Sequence, residues 1–366
     1  MRALARLRVL TCHGRRRTCR LVAARPGRSR ARPGLARASG VLVLALAAVG
    51  TAAPAAPKPA SAPRPASAPL PPAPMGVAPY LSLGWGDPPA PATVMKASGV
   101  RWFSLAFILS RGTCEPRWDG ERPLTGGADA RTVRAVRKAG GDVVPSFGGG
   151  SGHKLEESCP DAESLAAAYQ KVIDAYGLKA IDVDIEMSAY RSAEAQRRTL
   201  GALDRVAKAN PGLVTYVTLP SHRSGPDSSL IDRAAEMGVE PDVWSVMPFS
   251  FVPSAKGEDM GRISTRAVDG LRDRLVSAYG YTQREAYKRS GISSMNGITG
   301  EGETITVEDF RTIAGHARKH GLGRIAFWSV NRDRPCGGRP YPAEDSCSGV
   351  RQKAWEYTKV LAQHGR

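Results

Sequence analysis

The sequence predicts a single (β/α)8 barrel of the TIM type. Three observations carry that prediction: eight short apolar runs, longer amphipathic stretches between them, and no glycine-rich dinucleotide fingerprint after the first run. The strand candidates are residues 78–83, 102–109, 143–147, 180–186, 214–219, 243–247, 292–295 and 325–330. Helix candidates between them include residues 130–139, 161–176, 193–209, 229–237, 307–319 and 352–363. Alternating βα units build a parallel sheet, and eight of them favour a closed barrel over an open doubly wound sheet. The chain has 366 residues, and such a barrel takes about 250, so one catalytic domain at residues 76–366 and an N-terminal tail are expected.

The tail accounts for most of the charge. The formal net charge is +18, but residues 1–74 carry twelve arginines up to Arg37, then Lys58 and Arg64, with no acid. Beyond them 38 basic residues face 34 acidic ones, which does not support a phosphate-tracking surface or a nucleic-acid partner. Residues 41–49 are a short apolar stretch followed by small residues, the order of a secretory signal peptide and too short for a membrane span. Residues 1–53 are therefore read as a signal peptide with a long basic extension, and residues 54–75, nearly all Pro, Ala and Ser, as a linker. A secreted protein without stable membrane association, and a monomer, is the expectation.

Cysteine usage agrees with export. Cys12 and Cys19 leave with the leader, and Cys114, Cys159, Cys336 and Cys347 remain, an even set that suggests two disulfides. Cys336 and Cys347 would close a Gly/Pro-rich loop, which leaves Cys114 with Cys159.

The strongest chemical signal is Ile181-Asp182-Val183-Asp184-Ile185-Glu186. At the two-residue period of a strand the three acids share one face and the three β-branched residues the other. In a parallel barrel the apolar face packs on the helices, so the acids point inward, with Glu186 nearest the C-terminal rim where barrel active sites lie. Three crowded carboxylates cannot all ionise cheaply, and a proton retained on Glu186 is what a general acid needs. No metal is expected, because His153, His222, His316 and His320 show no ligand spacing.

Asp182-x-Asp184-x-Glu186 resembles the D-x-D-x-E signature on strand four of glycoside hydrolase family 18, the chitinases and their relatives. Ser146-Phe147-Gly148-Gly149 resembles the S-x-G-G motif on that family's strand three, and Phe327-Trp328-Ser329 with Asn331-Arg332-Asp333-Arg334-Pro335-Cys336 resembles the end of strand eight in a bacterial subgroup. The resemblance runs from about Pro79 to Lys359. It implies cleavage of β-1,4-linked N-acetylglucosamine polymers, chitin above all, by substrate-assisted retaining catalysis without a cofactor. The family stands apart from the two-carboxylate scheme of most glycosidases, since the substrate's own 2-acetamido carbonyl is the nucleophile. By position, Glu186 is the general acid/base, Asp184 holds the acetamido N–H and Asp182 tunes Asp184. Trp328 is the floor under the reacting sugar, and Met247, Phe251 and Ser146 are further substrate contacts.

Two positions depart from the family pattern. Lys179 stands where the longer signature carries another Asp, and Met247-Pro248-Phe249-Ser250-Phe251 has phenylalanines and a serine where relatives place a tyrosine and an acid. Two alternatives therefore stay open: a weakly active or non-catalytic carbohydrate-binding barrel, and an endo-β-N-acetylglucosaminidase acting on other glycans.

Overall fold

A computed structural model describes residues 73–337 and 345–363. Eight strands alternate with eight helices: β1 (Tyr80–Ser82), α1 (Pro91–Ser98), β2 (Trp102–Leu109), α2 (Ala128–Lys138), β3 (Asp142–Gly148), α3 (Ala162–Tyr176), β4 (Ala180–Asp184) and α4 (Ala193–Ala209). The second half is β5 (Val214–Pro220), α5 (Ser229–Glu236), β6 (Val243–Met247), α6 (Met260–Tyr279), β7 (Ser290–Met295), α7 (Val307–His320), β8 (Arg324–Trp328) and α8 (Glu356–Ala362). The strands pair in parallel in chain order. A parallel bridge between Val77 and Ile325 brings the last strand back to the first, so the fold is the nearly closed (β/α)8 barrel that the alternation predicts.

Local chemistry starts and stops the helices. Asp161, Ser192 and Asp259 cap α3, α4 and α6 by accepting backbone N–H bonds, and Thr306 with Asp309 forms a capping box on α7. Two helices of the ring stand outside the sequence expectations, α1 and the twenty-residue α6. Arginines, serines and two glycines dilute the apolar stripe of α6, yet Ile263, Ala267, Val268, Leu271 and Leu275 are buried at helical spacing.

Two strand ends also differ. The acid strand stops at Asp184, and Glu186 is the N-terminal flank of a short helix, Met187–Arg191. Pairing continues one residue past the strand, through the Ile185 N–H to Thr218 O bond of 2.9 Å, which preserves the alternation of faces. The last strand stops at Trp328 rather than at residue 330, and Val330–Arg332 forms a turn of 3-10 helix.

The expected leader and the linker up to residue 72 lie outside the described residues. Residues 73–75, also expected in the linker, belong to the barrel: Ala73–Gly76 is a helical turn, and Met75 packs in the barrel floor with Ala78, Trp102, Val144, Ala180, Val214, Tyr216 and Val243. Lys179 is at that same floor, paired with Asp142 at 3.4 Å and lying over the Trp102 ring. The departure from the family signature at this position is therefore a strand-base contact, at the end of the barrel away from the acids.

The disulfides are Cys114–Cys159 and Cys336–Cys347, with Cα–Cα distances of 4.5 and 5.2 Å. The first ties the segment after β2 to the segment after β3, and the second closes the loop after β8. Both stiffen the rim that carries the site.

Candidate active site

The alternation on β4 separates its side chains as the sequence predicts. Ile181, Val183 and Ile185 are fully buried in the core between sheet and helices, while Asp182 and Asp184 point into the barrel and Glu186 into its mouth.

Asp182 is the centre of a polar layer above the apolar floor. Its carboxylate accepts hydrogen bonds from Tyr80 Oη at 2.6 Å, Ser146 Oγ at 2.7 Å and Thr218 Oγ1 at 2.8 Å. The Arg324 guanidinium completes the layer 3.5 Å from Asp182 Oδ1, with both side chains fully buried. Arg324 also donates to Ser104 Oγ at 2.8 Å and lies over the Tyr216 ring, 4.2 Å from its centroid. Paired and bonded charges can persist at such depth, where single ones cannot. Five strands thus converge on one carboxylate.

Asp184 is the next inward residue on the strand, buried, with Oδ1 lacking a hydrogen-bond partner. Burial raises its pKa well above the usual carboxylate range, and the neighbouring charges of Glu186 and then Asp182 raise it further. Burial also pushes Glu186 up to about 7, against the opposing pull of Lys154. An acid that keeps its proton to neutrality beside a second, crowded carboxyl is an arrangement suited to proton transfer.

These acids open into a cavity of about 580 Å³ at the C-terminal end of the barrel. Trp328 and Phe107 stack in its wall at 5.5 Å and 9°, and Trp85 meets Trp328 edge-on at 6.3 Å. Trp85 is half exposed. Flat aromatic faces at a polar mouth suit the apolar C–H faces of a sugar ring. Among the described residues no group of three or more His, Cys, Asp or Glu side chains is arranged to hold a metal.

The sequence motifs divide between contact and support. Gly148 and Gly149 adopt φ of +94° and +90°; a Cβ on Gly148 would meet Asp184 O at 2.3 Å, and one on Gly149 would meet the Phe107 ring at 2.8 Å. These glycines let the loop after β3 lie against the acid strand, where Gly149 N–H bonds to Asp184 O at 2.8 Å. Asn331 fixes the loop that carries Trp85 by bonding to Ser82 N, Ser82 O and Trp85 O. Arg332 grips the carbonyls of Asn296 and Ile298 after β7, and Asp333 receives the first N–H groups of α8 at Tyr357 and Thr358.

Of the expected contacts, Glu186, Asp184, Trp328 and Met247 line the cavity. Asp182 and Ser146 are fully buried beneath it and bonded to each other, so Ser146 supports the acids rather than forming the cavity wall. Phe251 is displaced from its expected position. It is 5% exposed in the core under the Arg223 guanidinium, while Phe249 lines the cavity beside Met247. The reason is Glu303, a buried carboxylate on the hairpin after β7. It accepts Ser250 N–H at 2.7 Å, Phe251 N–H at 2.8 Å and Ala255 N–H at 3.3 Å, and so turns the chain between the two phenylalanines.

Several residues of the site were not anticipated: Tyr80, Thr218, Arg324, Phe107, Glu303, Lys154 and Glu156. An arginine opening an otherwise apolar strand at 324 was the one sequence signal among them that pointed to a buried counter-charge.

No family model matches the chain. A probable bifunctional chitinase/lysozyme of Escherichia coli K12 is 27% identical, over 78% of this chain and 34% of that protein. Endochitinase 11 of Metarhizium anisopliae is 27% identical, over 70% of this chain and 52% of its own length. The chain thus spans about a third to a half of these curated relatives. Among solved structures, active domain 2 of the thermostable chitinase from Pyrococcus furiosus, crystallised as catalytic-site mutants with chito-oligosaccharides, superposes with a TM-score of 0.70. It is 27% identical, with 81% of this chain and 96% of that one covered.

Proposed function

We propose that this chain, a chitinase-like member of glycoside hydrolase family 18, hydrolyses β-1,4-linked N-acetylglucosamine polymers by a substrate-assisted, retaining mechanism. One observation carries the mechanistic part. Four carboxylates line the cavity, but Asp119 is paired with Arg122 and Glu121 with Arg111, which leaves Asp184 and Glu186. Both are on β4 or its immediate extension and so on one side of the cavity. A two-carboxylate glycosidase needs its acids on either side of the scissile bond, about 5–9.5 Å apart, whereas the facing wall here is Trp328, Met295 and Met247. The nucleophile must then come from the substrate.

In this reading Glu186 gives its proton to the glycosidic oxygen as the C1–O bond breaks, and the 2-acetamido carbonyl oxygen bonds to C1 on the opposite face. Asp184, with its unpartnered oxygen, accepts the acetamido N–H and offsets the positive charge of the cyclic intermediate. The Glu186 carboxylate then takes a proton from water as that water attacks C1, which reopens the ring and returns the product in the β configuration. Because the first step needs a protonated Glu186, activity should fall as pH rises through about 7. Likeness to a domain crystallised with chito-oligosaccharides supports the substrate class. The two disulfides and the apolar run at residues 41–49 support export as a secreted enzyme.

Protein recovered from culture medium is expected to lack Met1 and free thiols and to release β-anomeric products from chitin oligosaccharides. Inactivity on those oligomers, with release of glycans from glycoproteins, would replace chitin by a glycan substrate.

A binding-only barrel is the second reading, and Phe249 favours it, because the cavity wall carries a phenyl ring where a hydroxyl could hold the acetamido oxygen. Phe249→Tyr is expected to raise turnover without comparable gain in binding, since an oriented donor to developing charge is worth up to about 2.7–4 kcal/mol. Phe251→Tyr should instead bury an unpaired hydroxyl, costing about 1–3 kcal/mol with no gain in rate. Turnover and melting temperature of the two variants, measured side by side, decide between the positions. If neither variant gains activity, the donor must be sought elsewhere on the cavity wall.

A further inference from the structure

We propose that Lys154 is a positioning residue for the acid at the end of β4: its buried ammonium pins the loop that follows β3 beneath the cavity and supplies a fixed positive charge to Glu186. The inference rests on the reading of Glu186 as the acid.

Lys154 is 3% exposed. Its Nζ donates to Ser151 O at 2.9 Å and Gly152 O at 3.3 Å, and no ion pair to it is found among the described residues. A buried ammonium held only by two carbonyls is expensive to keep, and a structural role in a turn would be served more cheaply by a neutral donor. What distinguishes the location is its neighbours. Gly150, Ser151 and Gly152 line the cavity, and a Cβ on Gly150 would lie 3.5 Å from Glu186 Oε1. The turn that Lys154 clamps is therefore part of the surface that the acid faces.

Two residues further on is Glu156, fully buried in the short helix Leu155–Ser158, with neither carboxyl oxygen hydrogen-bonded. Burial pushes Glu156 up to about 7, and Lys154 opposes that rise as it does for Glu186. Clamped by its own loop, the ammonium cannot swing out to solvent, so its field at both carboxyls is fixed before substrate arrives. The remaining charged or titratable groups around Glu186 are Asp184 and Asp182 on β4, with Arg324 of β8 and Tyr80 of β1 acting through those two, and the ion-paired Asp119, Arg122 and Glu121 on the cavity wall.

Removing the positive charge disfavours ionised Glu186, so Lys154→Met should move its titration to higher pH, by about one unit for a close buried charge. Lys154→Gln removes the charge but keeps an amide donor for the two carbonyls, and should move the midpoint in the same direction. Lys154→Arg keeps the charge and should retain the wild-type midpoint.

The test is a carboxyl-carbon NMR titration of Glu186, assigned against Glu186→Gln, together with kcat/KM against pH on a chitin oligosaccharide. It is run for wild type, Lys154→Met, Lys154→Gln and Lys154→Arg. The expected result is an upward shift in Lys154→Met and in Lys154→Gln and no shift in Lys154→Arg, with the alkaline limb of activity following each. An unmoved midpoint in Lys154→Met, or one that arginine fails to restore, overturns the proposal. Should Lys154→Met not fold, Lys154→Gln decides, and an unmoved or lowered midpoint there overturns it as well. Titration shifts of the expected signs in a protein that hydrolyses nothing would overturn the enzymatic reading and leave the electrostatic role of Lys154 intact.

Discussion

Glu186→Gln is expected to lower hydrolysis of chitin oligosaccharides by at least about 10²-fold, the lower end of what a positioned acid supplies, while oligosaccharide binding and melting temperature stay near wild type. The amide keeps the shape of the carboxyl at the cavity wall but can neither give up nor take the reacting proton. Folding should not depend on the charge, because burial alone already disfavours the ionised form of Glu186, and no other side chain is bonded to it among the described residues. Steady-state kinetics with binding by calorimetry separates the two effects. Unchanged turnover in the purified variant would remove Glu186 from the mechanism, and a matching loss of binding would make its role one of contact.

Asp182→Ala is expected to have the largest effect on stability. It leaves the Arg324 guanidinium buried without a counter-charge and takes the carboxylate acceptor away from Tyr80, Ser146 and Thr218. Breaking a buried pair from one side costs about 3–5 kcal/mol, which for a domain of this size corresponds to roughly 5–8 °C in melting temperature. The double variant Asp182→Ala with Arg324→Met should recover part of that loss, because removing both charges eliminates the uncompensated one. Activity should not return with stability, since the double variant still lacks the charge beneath Asp184. A thermal-melt series on the four members of this cycle checks the prediction. Equal melting temperatures for Asp182→Ala and the double variant would show that the guanidinium is not what destabilises the single one.

The two variants probe parts of the molecule that differed in how far they could be read in advance. The acid strand was legible because side chains alternate across a strand whatever its neighbours, so the period of two in residues 181–186 was enough to put Ile181, Val183 and Ile185 outward and the acids inward. Apolar periodicity made most of the barrel elements legible in the same way. The α6 helix was obscured because its stripe is diluted by polar residues and glycine, and burial between neighbours, rather than propensity, stabilises it.

What sequence by itself determined was therefore local: eight strands in order, one strand bearing acids on its inner face, and cysteines that pair in the two ways found. Only the tertiary structure decided the surroundings that give those acids their chemistry. Tyr80, Ser146, Thr218 and Arg324 come from four other strands and meet at Asp182 through barrel closure and register. Phe249 rather than Phe251 enters the cavity because Glu303, more than fifty residues on, binds the backbone between them. The buried position of Lys154 likewise follows from how the loop after β3 folds under itself. Proton affinities and cavity walls depend on distances through space, and a linear pattern contains such distances only where backbone geometry repeats them.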